Sequence, residues 1–217
     1  NEPSVKALHE SIQFSNKNRA EKRVKKKKKE NLSIKVDSAP FEIPESWVWV
    51  RGSVLFDVVR GVTYGKSDAD PEKQPGYIAL LRSHNIQQAG LNTEDLVYVR
   101  KEKVSDEQII CNGDILIAMS SGSKNLVGKA AQAKEDLNVT YGAFCAVIRA
   151  YEPSISRYLG FFFSTPYYRE ATALGGKGMG INNLTVGALN NLVIPLPALP
   201  EQKRIVDQVE KVMTLIN

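Results

Sequence analysis

Residues 190–216 read NNLVIPLPALPEQKRIVDQVEKVMTLI, a stretch that predicts a strand, a proline-rich segment and a helix in succession. Leu192–Ile194 is a short apolar run typical of a buried strand, and prolines follow it closely. Because proline fixes φ and favours an extended path, this segment predicts a directed spacer between a strand and a helix. Pro200 suits the first helical turn, where Glu201 complements the helix dipole.

The predicted C-terminal helix carries apolar residues at the spacing of a coiled coil. Its seam recurs at steps of four, three and four residues and consists of Ile205, Val209, Val212 and Ile216. The run covers only about two heptads, whereas a coiled coil is indicated by three or four. Periodicity therefore leaves two interpretations open: pairing with a partner helix, or an ordinary helix that folds back on its own domain.

The composition is that of a globular protein without a membrane segment. The chain has 217 residues, of which 42% are hydrophobic and 24% charged, so it can bury a core. No apolar run approaches the roughly 20 residues that cross a bilayer, and no secretion signal is visible at the N-terminus. Cys111 and Cys145 lie in apolar, strand-like surroundings, which is typical of small buried side chains in a reducing cytoplasm. His9 and His84 are too isolated to suggest a metal site.

The net charge of +5 comes entirely from the N-terminal arm. Residues 1–39 hold 11 Lys and Arg against 5 Asp and Glu, which leaves 18 against 19 for the remainder. Arg19–Lys29 reads RAEKRVKKKKK, a block that is either a solvated arm or a contact with nucleic-acid phosphates. Any nucleic-acid site on the body of the chain must therefore be a local arrangement of loops rather than a basic face.

Many short apolar runs without a βαβ rhythm predict an α+β fold of mixed or antiparallel short strands. The Asn-Gly-Asp turn at 112–114 predicts a β-hairpin over Ile109–Met119. Further predicted elements are strands at Trp47–Val50, Tyr77–Arg82, Leu96–Val99, Lys129–Lys134 and Gly142–Ile148, and helices at Gly52–Val59, Ser156–Thr165, Tyr167–Leu174 and Leu184–Asn190.

Two glycine-rich segments resemble nucleotide-binding motifs but fail on spacing. Gly122 and the pair Gly128-Lys129 are separated by five residues where a P-loop has four, and Ala130 stands where a hydroxyl must hold magnesium. The segment 176–181 lacks the third glycine of a dinucleotide fingerprint. No nucleophile with a histidine partner, carboxylate cluster or Asn/Asp-Pro-Pro-aromatic methyltransferase motif is present. The sequence therefore predicts a non-catalytic chain that needs no cofactor.

Polar loops remain as candidates for function. They are rich in Ser, Asn, Lys, Arg, Tyr and Gly, which reach phosphate oxygens and base edges or allow close backbone approach. Taken singly, such loops more often just cap strands, but several on one non-enzymatic domain favour a recognition surface. The candidate loops are Arg60–Lys73, Arg82–Gln88, Ser120–Lys129 and Lys177–Asn183.

The motif PLPALPEQKRIVDQVEKV at 195–212 resembles a junction found in DNA specificity subunits of type I restriction–modification systems, where a target-recognition domain meets a conserved spacer helix. IPESWVWVR, YIALLRSHNIQQAGLN, GDILIAMSSGSKNLVGKAA and YGAFCAVIRA resemble further segments of that family in the same order. The resemblance implies three parts: an N-terminal helix and basic linker at 1–39, a target-recognition domain at 40–198, and the start of a coiled-coil spacer helix at 199–217.

The resemblance also implies a function. A specificity subunit reads a split DNA target through its recognition domains, while partner subunits carry out methylation and cleavage. The implied partners are double-stranded DNA, modification (methyltransferase) and restriction subunits, and a second recognition half that pairs through the spacer helix. A full subunit has two recognition domains and this chain has one, so it resembles either the second half of a longer subunit or a half-length subunit that dimerises.

The candidate DNA-binding residues lie in the polar loops. They are Lys66, Arg82, Asn85, Ser121, Ser123, Lys124, Asn125, Lys129, Lys177 and Asn182. Basic members are expected mainly to neutralise phosphates, whereas Arg and Asn can make two-pronged contacts to guanine and adenine. Two alternatives stay open: a protein–protein adaptor that uses the C-terminal helix without binding DNA, and a phosphate-binding enzyme built on Ser120–Lys129.

Overall fold

The computed structural model describes residues 39–88, 90–123, 126–174 and 183–216, so the predicted N-terminal helix and basic arm lie outside the described residues. The strands are β1 (Val48–Arg51), β2 (Phe56–Arg60), β3 (Ala69–Asp70), β4 (Tyr77–Leu81), β5 (Ile86–Gln87), β6 (Gly90–Leu91), β7 (Val97–Arg100), β8 (Ile115–Ala118), β9 (Ala130–Gln132), β10 (Thr140–Tyr141), β11 (Cys145–Ala150) and β12 (Val193–Leu196). The α-helices are α1 (Gly52–Leu55), α2 (Ser156–Phe162), α3 (Pro166–Leu174), α4 (Val186–Asn191) and α5 (Leu199–Ile216). Across these described ranges, no helix combines the length and apolar character needed to cross a membrane.

A four-stranded antiparallel sheet of order β2-β11-β8-β9 forms the centre of the molecule. Alternate side chains of β8 point to opposite faces, as the period of a strand requires. Ile115 and Ile117 pack into one cluster, and Leu116 and Ala118 pack into another. Both faces of this sheet are therefore buried, which explains why β8 reads as a continuous apolar run.

Helices cover the first face of the central sheet. Leu159 and Phe162 of α2, Tyr168 of α3 and Leu189 of α4 are buried in the same cluster as Ile115. The rings of Phe163 and Tyr168 meet edge to face, with their centroids 4.8 Å apart. This aromatic layer agrees with the helices predicted over 156–165 and 167–174 and holds them rigidly against the sheet.

A second sheet, of order β10-β4-β7-β3, covers the other face. β10 runs parallel to β4, whereas the remaining pairs are antiparallel. Leu81 and Tyr141 from this sheet pack with Leu116 and Val147 of the central sheet. The prediction of an α+β fold with mixed, short strands is confirmed.

The proline-rich segment leads out of this core. β12 pairs antiparallel with β1, and the Tyr158 hydroxyl donates to the Pro195 carbonyl at 2.5 Å. The Gln202 side chain is buried and donates through Nε2 to the Pro197 carbonyl at 2.8 Å. These contacts fix the direction in which α5 leaves the domain.

The hairpin predicted over Ile109–Met119 is wrong, although its turn is correct. Gly113 has a φ of +86°, but β8 pairs with β9 and β11 rather than with residues 109–111. Arg149 explains the difference. Its Nη2 donates to the Ile109 carbonyl at 2.9 Å and its Nε to Asp114 Oδ1 at 2.8 Å, while Asp114 Oδ2 accepts from the Cys111 amide at 2.9 Å. A buried ion pair thus takes the backbone groups that a hairpin would have used.

The helix predicted over Gly52–Val59 is also shorter than expected. α1 ends at Leu55, and Phe56–Arg60 forms β2, an edge strand of the central sheet. Phe56 is fully buried, and its ring lies 5.7 Å from that of Phe163. Pairing with β11 and burial of Phe56 therefore override the local helical pattern.

Candidate nucleic-acid interface

Several connections leave the central sheet at one end. β2 ends at Arg60 and β8 ends at Ala118, and both positions face the start of β11, where Arg60 pairs with Ala146 and Ala118 with Cys145. β4 ends nearby, because Leu81 lies opposite Tyr141. We call this region the loop-bearing end and define it as residues 61–62, 82–88, 90–95, 119–123, 126–129 and 142–144, together with Asn183.

Close backbone contacts hold the loop-bearing end together. The Val62 amide donates to the Tyr141 carbonyl at 2.7 Å, and the Gly142 amide donates to the Leu81 carbonyl at 3.0 Å. A Cβ atom on Gly61 would lie 2.2 Å from the Gly142 carbonyl oxygen. Only glycine allows the chain to leave β2 this close to the turn before β11.

Asn85 holds the loop after β4 in place. The residue is fully buried, and its Oδ1 accepts from the Arg82 amide at 2.8 Å. Its Nδ2 donates to the carbonyls of Asn92 at 3.0 Å and Asp95 at 2.8 Å. With its hydrogen-bonding groups turned inward, the side chain offers nothing to a base edge. The base-reading role predicted for Asn85 does not fit this structure, and the residue organises the loop instead.

Arg82 reaches the surface beside this loop. Its side chain is 37% exposed, and Nη2 lies 3.5 Å from Asp95 Oδ1 and 3.4 Å from His84 Nε2. His84 Nε2 lies 3.0 Å from Asp95 Oδ2. The guanidinium is therefore accessible and held by side chains of its own loop, as a residue that contacts DNA requires.

The loop after β8 is anchored at its far end by helix α3. The Tyr168 hydroxyl donates to the Gly128 carbonyl at 2.8 Å, and Arg169 Nη1 donates to the Val127 carbonyl at 3.0 Å. Lys129 Nζ donates to the Ile86 carbonyl at 3.4 Å, which ties this loop to the loop after β4. The two candidate loops therefore form one surface.

The serines of the same loop lie at its exposed part. Ser121 Oγ accepts from the Ser123 amide at 3.2 Å in a short turn, and Ser123 is exposed. Lys124 and Asn125 follow directly but lie outside the described residues. Ser121 and Lys129, which lie in the same loop, are both half-buried.

The segment before α4 joins the loop-bearing end as well. Ser120 forms an isolated antiparallel bridge with Asn183, and the Leu184 amide donates to the Met119 carbonyl at 2.6 Å. The predicted contacts Lys177 and Asn182 lie outside the described residues. The described chain returns to the sheet at Asn183, beside the first residue of the Ser120–Lys129 loop.

Lys66 lies in a different part of the domain. It begins a short 3-10 helix whose Asp68 carboxylate lies 3.7 Å from Lys103 Nζ, next to the end of β7. Arg100 pairs there with Tyr77, at the start of β4, whereas Arg82 follows the end of that strand. The structure does not bring Lys66 together with the other candidate residues.

Phe144 is a residue of this surface that the sequence reasoning missed. Its side chain is 70% exposed, on a turn closed by the Cys145 amide donating to the Gly142 carbonyl at 2.8 Å. The Phe144 carbonyl accepts from the amides of Met119 and Ser120, at 2.8 and 3.1 Å. A rigidly held, exposed ring at the loop-bearing end is suited to contact bases. Alternation along β11 gives no signal for an outward ring, because Cys145 and Val147 are buried in one cluster and Ala146 and Ile148 in the other.

The seam of α5 is half-buried in its first part and exposed further along. Each of the two interpretations left open by the sequence therefore fits one part of the helix. Ile205 and Val209 are half-buried, and Glu210 forms an ion pair with Arg157 of α2. The first turns therefore fold back on the chain's own domain. Val212 is 54% exposed and Met213 is 50% exposed, which leaves apolar surface further along the helix. Ile216 is the last residue of α5.

The chemistry of the cysteines does not favour a nucleophile. Burial raises the pKa of the Cys111 thiol to about 11 and that of the Cys145 thiol to about 12. Both are protonated near neutral pH and are poor nucleophiles. Within the part of the chain that the structure describes, no group of three or more His, Cys, Asp or Glu residues could hold a metal ion.

Comparison with known proteins gives relatives of one kind. The chain is 36% identical over 176 residues to the type I restriction enzyme EcoKI specificity subunit of Escherichia coli (strain K12), and 35% identical over 176 residues to the StySPI specificity subunit of Salmonella potsdam. Each match covers 81% of this chain and 38% of the relative, so the chain spans about two fifths of the length of these relatives.

A solved structure has a similar fold. The HsdS subunit from Thermoanaerobacter tengcongensis matches with a TM-score of 0.59 and 20% identity, over 98% of this chain and 46% of that one. The family model described as type I restriction modification DNA specificity domain matches residues 44–217. With its fold, its loop-bearing end and this match over most of its length, the chain belongs to the type I restriction–modification DNA specificity domain family.

Proposed function

We propose that this chain recognises one part of a DNA target for a type I restriction–modification system. The observation that carries the proposal is the convergence of Arg82, Ser121, Ser123, Lys129 and Phe144 at the loop-bearing end. These side chains come from three separate connections that the register of β2, β4, β8 and β11 brings to one edge. Donors, acceptors and an exposed ring on a rigid scaffold are what direct readout of a DNA groove requires.

The body of the domain has almost no net charge, so the binding must depend on local contacts. Outside residues 1–39 the chain holds 18 Lys and Arg against 19 Asp and Glu. Arg82 and Lys129 supply positive charge at the loop-bearing end, and Ser121 and Ser123 supply hydroxyls. Lys124, Asn125, Lys177 and Asn182 remain predicted contacts, because they lie in or next to the same loops.

In this proposal the chain performs no chemistry itself. It directs methyltransferase and endonuclease subunits to DNA, as the names of its relatives suggest for specificity subunits of restriction enzymes. Residues 40–198 form the recognition domain, residues 199–217 begin the spacer helix, and residues 1–39 lead into the domain. The exposed Val212 and Met213 pair with the spacer helix of a second recognition half.

The salt dependence of DNA binding tests the proposal. Each phosphate contact contributes about −0.9 to the slope of log K against log salt. We expect Lys129→Ala, which removes a cation at the loop-bearing end, to reduce the magnitude of the slope by about 1. Lys66→Ala removes the same charge away from the loop-bearing end and should leave the slope unchanged. Equal effects of Lys66→Ala and Lys129→Ala would contradict a phosphate contact specific to the loop-bearing end. Partner association that is insensitive to salt, with no DNA binding, would favour the adaptor alternative.

A further inference from the structure

Arg82, His84 and Asp95 form a charged cluster at the surface of the loop-bearing end. Asp95 bridges the other two, with Oδ1 3.5 Å from Arg82 Nη2 and Oδ2 3.0 Å from His84 Nε2. The side chain of Asp95 is 72% exposed and that of His84 is 42% exposed. All three side chains can therefore be reached from solvent while they remain in contact with one another.

The buried Asn85 fixes the spacing of this cluster. Its Oδ1 binds the amide of Arg82, and its Nδ2 binds the carbonyl of Asp95, each at 2.8 Å. The amide of Asn92 donates in turn to the carbonyl of Asn85 at 2.8 Å. One inward-facing side chain thus sets the separation of the two charged residues before any ligand binds, which reduces the ordering cost of binding.

The position of Asp95 needs an explanation, because an exposed carboxylate at a DNA-binding surface repels phosphates. Glu94 is a second exposed carboxylate, and within the described residues its only hydrogen bond is the one that its backbone amide donates to Asn92 Oδ1. Asp95 differs from Glu94 in that it contacts Arg82 and His84. A carboxylate that orients an arginine restricts the directions in which the guanidinium fork can point.

The guanidinium of Arg82 has unused donor capacity in this conformation. Its Nε is buried and has no hydrogen-bond partner within the described residues. An unsatisfied buried donor is unfavourable, so a movement that gives it an acceptor is favoured. Guanine offers two acceptors in the major groove, O6 and N7, and its paired cytosine offers the N4 amino donor beside them.

We propose that this cluster reads one G·C base pair in the major groove. Arg82 donates to O6 and N7 of the guanine. His84, which contacts both Arg82 and Asp95, helps to hold the guanidinium in position. Asp95 orients Arg82 and accepts from N4 of the paired cytosine, so that two donors and one acceptor on the protein match the edge of the pair. This inference rests on the proposed function. It adds the identity of one base pair that is read and a role for two further residues, His84 and Asp95.

Base preference measured by selection from randomised duplexes tests the inference. The full chain is compared with its Asp95→Asn and Arg82→Lys variants. We expect the unmodified chain to enrich a motif with one invariant G·C pair, and discrimination at that pair to fall on the order of tenfold in each variant. Arg82→Lys keeps the charge but loses the two-pronged fork. Glu94→Gln makes the same charge change as Asp95→Asn one residue away and should leave the preference unchanged.

A base analogue tests the contact at the level of one atom. Replacing the invariant guanine by 7-deazaguanine removes the N7 acceptor, so the unmodified chain should lose affinity while Arg82→Ala should be insensitive to the replacement. The midpoint of thermal unfolding of each variant should lie within a few degrees of that of the unmodified chain. This control separates a loss of base recognition from a loss of folding.

The outcomes distinguish this inference from the proposed function. If the unmodified chain enriches a motif but Asp95→Asn and Glu94→Gln leave the preference equally intact at every position, the G·C inference is overturned and the proposed function stands. Insensitivity of the unmodified chain to 7-deazaguanine would have the same meaning. If the unmodified chain enriches no motif, the proposed function is overturned and this inference with it.

Discussion

Asn85 illustrates how far a residue type can mislead about its role. An asparagine in a polar loop has the donor and the acceptor that an adenine edge requires, so the sequence favoured a DNA contact. The same two groups fit the backbone of its own loop, where they bind Arg82, Asn92 and Asp95. Burial decides between the two roles, and it depends on long-range packing: Leu81 and Ile86, on either side of Asn85 in sequence, lie in one cluster with the distant Tyr141 and Val147.

Replacing Asn85 is therefore expected to reduce stability. Asn85→Ala leaves a backbone amide and two backbone carbonyls of the loop without partners, and each unsatisfied buried group costs about 1–3 kcal/mol. Urea unfolding should show a lower free energy of unfolding by at least that amount. Asn92→Ala in the same loop removes only the acceptor for the Glu94 amide and should cost about 0.5–1.5 kcal/mol. A cost for Asn85→Ala no larger than that for Asn92→Ala would contradict this role.

Phe144 is expected to affect DNA binding and not folding. Its ring is 70% exposed, so Phe144→Ala should change the free energy of unfolding by less than about 0.5 kcal/mol. Burying an exposed Phe side chain at an interface is worth at most about 1.5–3 kcal/mol, which corresponds to roughly a tenfold to a 150-fold loss of affinity. The affinity of each variant for DNA is measured by fluorescence. Val48→Ala changes an exposed apolar side chain on β1, away from the loop-bearing end, and serves as the control. Equal affinities of the two variants would exclude Phe144 from the interface.

Among the elements, those with strong local patterns could be predicted and those set by long-range pairing could not. The alternation of Trp47–Val50, the apolar run of Tyr77–Arg82 and the aromatic density of Ser156–Thr165 each led to an observed strand or helix. The expected hairpin over Ile109–Met119 failed because Arg149, some 40 residues further along, binds its backbone. No local pattern contains that information.

Helix α5 packs against its own domain at Ile205 and Val209 and exposes Val212 and Met213 further along, where we propose that it pairs with a second helix. Its exposed apolar residues should mediate pairing, so changing both Val212 and Met213 to Gln should abolish concentration-dependent association in sedimentation experiments. The fold should be unaffected, because both side chains are half exposed or more. Lys211→Gln changes an exposed residue on another side of the helix and should leave association unchanged. Association that survives the double change would show that α5 does not pair through this surface.

For the whole molecule, the family and the general fold could be predicted, but the set of residues that meet at the proposed binding surface could not. The motif over 195–212 led to the family, because its order of prolines, EQ and apolar steps is specific. Which loops meet depends on strand register, which brings Arg60, Ala118 and Leu81 to one edge and separates Lys66 from Arg82. Register over a mixed sheet is decided by burial on both faces and is not visible in any single strand.

The distribution of charge gives the competing account of DNA binding. The arm at 1–39 carries the whole excess of positive charge, so it could bind DNA without any contribution from the loop-bearing end. Such binding would be independent of sequence and would disappear when the arm is removed. Binding through the loop-bearing end would select a sequence and survive that removal.

Selection of randomised duplex DNA by the full chain, at low and at physiological salt, tests the central claim most directly. The account predicts that one short motif is enriched, that enrichment persists after deletion of residues 1–30, and that Lys129→Ala or Arg82→Ala weakens it. Binding without enrichment, abolished by the same deletion, would contradict the account and assign the DNA binding to the basic arm alone.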